Sequence, residues 1–157
     1  MAMDHYAPCP CGSGKKLKFC KCVDNLQDLE KVTRLMEGGQ EVAALDRINQ
    51  LLKKTPNAAW LLALKAELAL AMGDEQLFSE TANRFHKLKP DNPLALIMQS
   101  LASLAADGGV EQACPLLLEG LAESRDSIPG MAVFAIRTLL NRLIVERRRN
   151  LGGFWED

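Results

Sequence analysis

The sequence predicts an all-α protein: a helical-hairpin repeat array, preceded by a small cysteine-bearing knuckle and followed by a C-terminal capping helix. Three observations predict it. Leu and Ala are abundant, while only eight of the 157 residues are aromatic and seven are proline, which favours packed helices over sheets. From Leu26 onward, apolar residues recur three and four positions apart. The glycine and proline stops of that pattern then return every 34 residues, which makes the unit two helices long.

Composition narrows the class further. A chain with 48% apolar and 25% charged residues can bury a core, so wholesale disorder is excluded, and 157 residues exclude two large domains. The longest uncharged run, Asn92 to Ala106, is fifteen residues and holds Gln99 and two serines, too short and polar to span a bilayer. The first residues lack the basic start and apolar core of a secretory signal, so a cytoplasmic protein is expected. The net charge of −1 averages two basic ends with an acidic middle: residues 1–24 carry four lysines against two aspartates, 25–124 nine basic against fourteen acidic groups, and 125–157 six arginines against four acids.

The first element, residues 1–24, contains Cys9-Pro10-Cys11-Gly12-Ser13-Gly14-Lys15-Lys16-Leu17-Lys18-Phe19-Cys20-Lys21-Cys22. Two C-x-C pairs stand eight residues apart. A disulfide within C-x-C would close a small strained ring, and cytosolic thiols are kept reduced, so metal is the stronger reading. Zn²⁺ prefers four thiolates in a tetrahedron at ~2.3 Å, and a short loop delivering two pairs meets that demand. Gly12-Ser13-Gly14 lets the chain reverse between the pairs. Lys15, Lys16, Lys18 and Lys21 offset the negative charge of a four-thiolate site and favour ionised thiols.

The string CPCGSGKKLKFC resembles the SEC-C motif, the zinc-binding tail of the SecA preprotein translocase, which also occurs as a short module in many otherwise unrelated bacterial proteins. In that family the pattern C-x-C-x8-C is followed directly by His or Cys, and all four residues bind zinc. Cys9, Cys11 and Cys20 match. Lys21 departs from the pattern, so Cys22 is assigned as fourth ligand, with His5 as its rival. A Cys₄ zinc has no open position for water, which makes the expected metal structural. For the SecA tail the resemblance implies recognition of an export chaperone and of acidic lipid or ribosomal surfaces, contacts that the four lysines could make here or could forgo as solvated counter-charges.

The helices follow in order. Leu26, Leu29, Val32, Leu35 and Met36 form one face, ended by Gly38-Gly39; Val42, Leu45, Ile48, Leu51 and Leu52 form the next, stopped before Pro56. Gly73 lies 34 residues after Gly39, Pro90 lies 34 after Pro56, and Asp107-Gly108 begins the third turn. The chain is similar in this to tetratricopeptide repeats, whose consensus places small residues where helices cross; Ala66, Ser100 and Ala44 occupy such places, while Phe78 departs from them and the third repeat has an extra glycine and no closing proline. Three degenerate repeats are expected at about 25–58, 59–92 and 93–127, with residues 128–157 supplying a cap over about Gly130 to Asn150 and a tail that carries Phe154 and Trp155.

The tetratricopeptide resemblance implies a concave groove lined by first helices, here including Trp60, Glu67, Ile97 and Leu101, and suited to an apolar helical segment. The alternative is that the last helix covers this surface, and Trp60 fits core or anchor equally. Cys114 is expected to be a buried small residue. No phosphate-cradling loop or G-x-S-x-G is present, and the only histidines are His5 and His86, so a non-enzymatic module that binds a peptide or protein is expected. The other readings are a nucleic-acid or ribosome-binding module using the knuckle and Arg142, Arg147, Arg148 and Arg149, and the regulatory N-terminal part of a larger protein.

Overall fold

Side-chain caps and glycine stops divide the chain into helices. Asn25 accepts from Gln27 N, Asp74 from Leu77 N and Asn92 from Ala95 N, each satisfying a backbone donor that the first helical turn leaves open. At the other ends, Gly39 and Gly73 take φ of 67° and 73°, a left-handed turn that only glycine adopts without strain.

The computed structural model describes residues 4–106, 109–124 and 128–152, of which 150–152 are described by backbone alone. Among them are seven α-helices: α1 Leu26–Glu37, α2 Glu41–Lys54, α3 Ala59–Met72, α4 Glu75–Leu88, α5 Pro93–Ala105, α6 Gly109–Glu123 and α7 Gly130–Gly152. The chain is all-α with an N-terminal cysteine cluster, and the described residues form no strand beyond an isolated bridge between Pro8 and Lys16. The Asp107-Gly108 turn and the Phe154-Trp155 tail lie outside the described residues.

Each helix packs on its neighbour in the chain, α5 also contacts α3 and α7, and the succession has the character of a helical repeat. Helices α1, α2 and α4 bury one stripe. By contrast α3 and α5 are apolar on nearly every side and are enclosed: α5 buries Leu94 through Met98 together with Ser100 through Leu104.

Small residues set the close crossings. Ala44, Ala66 and Ser100 are fully buried, and Ser100 Oγ donates to Ala113 O at 2.8 Å where α5 crosses α6. A Cβ on Gly120 would stand 2.9 Å from Ile97 Cγ1 and 3.0 Å from Pro93 O, so this glycine sits mid-helix as a contact and not as a stop. Polar ties join successive pairs: Arg47 meets Asp28, Lys65 Nζ donates to Asn49 Oδ1 at 2.8 Å, and Arg84 donates to the Pro56 carbonyl.

Two sequence expectations change. Val42 is 67% exposed, and Ala44 carries the inward stripe of α2 with Ile48, Leu51 and Leu52. Cys114 is only half-buried, because on α6 it lies to the side of the inward line of Ala113, Leu117 and Gly120.

Helix α7 packs on α5 and α6 through Ala132 and Ala135, with Met131, Phe134 and Leu139 partly covered. The flank beside that inward line and the later turns of the helix leave Val133, Ile136, Leu140, Leu143 and Ile144 exposed.

Candidate metal centre

The metal segment folds as a small hairpin. Cys9 N donates to Lys15 O at 2.8 Å and Leu17 N to Ala7 O at 2.9 Å, while Gly12 and Gly14 take φ of 69° and 74° in the turn. Gly12 N donates to Cys9 O at 3.1 Å, closing a tight turn over residues 9–12 that brings the Cys9 and Cys11 sulfurs to one site. The 3-10 turn Leu17–Phe19 then returns the chain, burying Leu17 and bringing Cys20 and Cys22 beneath the first pair.

All four sulfurs lie within 4.8 Å of one another. Cys9 Sγ is 3.1 Å from Cys22 Sγ, Cys11 Sγ 3.5 Å from Cys20 Sγ, and Cys20 Sγ 3.2 Å from Cys22 Sγ. These separations exceed a covalent S–S bond of ~2.05 Å. They are close to the ~3.8 Å edge of a tetrahedron with metal–sulfur bonds of ~2.3 Å, so the residues fit a bound metal ion. His5 is exposed and is not one of the converging groups.

Four thiols at this distance cannot all ionise unaided. Cys22 and Cys9 donate to Cys11 and hold its pKa far below the ordinary thiol value, with Ser13 helping. Beside that thiolate, Cys22 and Cys9 are pushed up, by Cys11 first in each case. A divalent cation supplies the charge that would let them release their protons. Ser13 Oγ lies 3.2 Å from Cys11 Sγ and 3.6 Å from Cys20 Sγ, a hydroxyl that bridges the two pairs. Its only sequence signal was its place between two turn glycines.

The knuckle is seated on the array. Asn92 Nδ2 donates to Cys11 O at 2.8 Å while its Oδ1 caps α5. Gly12 rests on Leu94: a Cβ there would stand 2.2 Å from Leu94 Cβ. Neither contact could be read locally, since 81 residues separate Asn92 from Cys11.

Lys15, Lys16, Lys18 and Lys21 are all exposed. Lys16 and Lys18 stand over the Tyr6 ring at 5.5 and 5.2 Å, and Lys18 is also 5.9 Å from the Phe19 ring. Tyr6 and Phe19 are themselves exposed, which places two aromatic faces among four cations.

Trp60, Ile97 and Leu101 are 4%, 0% and 5% exposed. Trp60 and Ile97 pack the core among the neighbouring helices and leave no surface for a partner to grip, while Leu101 reaches only the floor of an open groove. Glu67 is half-buried and lines a cavity. What stays open on that side is an apolar groove of about 510 Å³ between α7 and the ends of α3, α4 and α5, with Leu101 and Leu104 at its base and Leu70, Phe78, Phe134 and Val145 around it. Among the described residues, no helix is long and apolar enough to cross a membrane. No family model matches the chain, and no curated protein or solved structure matches it either.

Proposed function

We propose that this chain is a non-enzymatic adaptor of the bacterial cytoplasm, in which a SEC-C-like knuckle holding one structural zinc is joined to a tetratricopeptide-like array that binds a peptide or protein partner. The identity of the metal rests on the donor set: four soft sulfurs and no oxygen ligand select zinc over magnesium or calcium. The partner reading is carried by the groove beside α7, whose Leu70, Phe78, Phe134 and Val145 form a continuous apolar surface with Glu75 and Arg142 at its edges. An apolar helical segment with charged flanks suits it.

Photo-crosslinking tests this reading. Benzoylphenylalanine at Val145, which is 45% exposed, should give a discrete protein adduct that disappears with Leu70→Asp. Adducts that persist with Leu70→Asp would remove the groove from the proposal.

A second reading has its own observation. Tyr6 and Phe19 among Lys15, Lys16, Lys18 and Lys21 form the combination of stacking faces and cations that holds single-stranded nucleic acid. Binding through this surface should weaken steeply with salt, whereas binding in the groove should change little.

A further inference from the structure

A second cavity lies where the knuckle meets the array, and it shares no lining residue with the groove beside α7. It holds about 310 Å³. The hairpin turn of the knuckle, the start of α5, the end of α6 and the start of α7 surround it, and Glu67 enters from α3.

Glu67 is out of keeping with its surroundings. Helix α3 is otherwise apolar except for Lys65, which is engaged with Asn49. Among the described residues Glu67 has no ion pair and no hydrogen bond. Burial shifts its carboxyl, pushing the pKa up, and among the described residues no neighbouring cation lowers it. A half-buried carboxylate without a partner among the described residues costs stability.

The cavity identifies what could complete it. An ionised carboxylate only accepts hydrogen bonds, so its complement is a donor, and a cation for preference. A bare divalent ion is a poor fit, because it needs several oxygen ligands and the only other carboxylate among the described residues of the wall, Glu123, is exposed. The walls offer Pro8, Pro10, Leu94, Pro129 and Met131, apolar surface suited to a carbon stem. The start of α5, which would favour an anion, is already spent on its Asn92 cap.

We propose that this cavity binds an organic cation carried on an apolar stem, with Glu67 as its counter-ion. Three groups share that chemistry: a chain-terminal α-ammonium, a lysine ammonium and an arginine guanidinium. The site goes beyond the groove reading, and because the knuckle builds one wall, a ligand here would touch both parts of the molecule.

The test is an amide chemical-shift titration of the full metal-loaded chain. Four probes separate the sources: leucine methylamide for the α-ammonium, Nα-acetyl-lysine methylamide, Nα-acetyl-arginine methylamide, and neutral Nα-acetyl-leucine methylamide as control. At least one cation should shift Leu94 and Met131 saturably while the neutral probe does not. Glu67→Gln should weaken that cation by about 10-fold to 100-fold, the worth of one charge-assisted hydrogen bond. The same variant must melt no lower than wild type at pH 7, which excludes loss of fold as the cause. Saturation by the neutral probe, no saturation by any cation, or unchanged affinity in Glu67→Gln would each overturn the proposal. None of these outcomes bears on the groove, which the Val145 crosslink reads separately.

Discussion

The knuckle and helix α5 solve the same problem in opposite ways. Between residues 4 and 24 only Cys9, Cys11 and Leu17 are buried, whereas α5 buries ten of its thirteen residues. At ~25 cal/mol per Å² of apolar surface, three side chains cannot offset the entropy of ordering about twenty residues, while a helix enclosed by its neighbours can. Four convergent sulfurs take the place of a core in the first region, and the second needs no cross-link. A bound metal would give a short segment the fixed structure that a long one acquires from packing.

Removing the metal should break this contrast most completely. Structural zinc sites are worth ~10–16 kcal/mol of apparent binding free energy, so chelation or Cys22→Ser should abolish the single metal seen by native mass spectrometry and expose the amides of Cys9 and Leu17 to exchange. The helical circular-dichroism signal should persist almost unchanged. Cooperative loss of that signal would mean that the two regions are one folding unit.

The reverse experiment strikes the array. Trp60→Ala removes a side chain that is 4% exposed and should cost about 3–5 kcal/mol in urea unfolding, with metal stoichiometry intact. A cost near zero would return Trp60 to the surface.

Between these lies the seam. Gly12→Ala forces a Cβ to 2.2 Å from Leu94 Cβ at a backbone φ of +69°, and should cost about 1–3 kcal/mol while the four sulfurs still hold their metal. A loss of metal instead would show that docking on α5 helps to assemble the site.

The smallest effect concerns Glu67. Its carboxyl is raised in the folded state, so the folded chain binds the proton more tightly than the unfolded one, and this contribution to stability is present in acid and lost as the pH rises through the raised value. Glu67→Gln should therefore melt slightly higher than wild type at pH 7. The difference should vanish below the usual glutamate range, and thermal melts at both pH values check it.

Local pattern made the cysteine cluster and the paired helices readable. The C-x-C spacing survives folding because the tight turn over residues 9–12 is closed by neighbouring residues alone, and Gly39, Gly73, Pro56 and Pro90 act on their own turns. Val42 misled because alanine at position 44 is as good an inward residue when two helices approach closely, and hydrophobicity alone ranks it lower. Trp60, Ile97 and Leu101 were read as groove positions on the resemblance to an open array. Trp60 is enclosed by the helices packed on α3, namely α2, α4 and α5, while Ile97 and Leu101 lie on α5, which α7 also covers through non-local packing at Ala132 and Ala135. Asn92 offered only its capping position, since nothing in its neighbourhood announces a partner 81 residues away.

That asparagine carries a consequence for how the two regions sense each other. One planar amide faces both, its oxygen on Ala95 N–H and its nitrogen on the Cys11 carbonyl, so it cannot turn away from the knuckle without turning the other atom away from the helix. Fraying of the first turn of α5 and release of the hairpin are thus a single rotation. The exchange rate of the Ala95 amide becomes a gauge, placed inside the array, of whether the knuckle is seated.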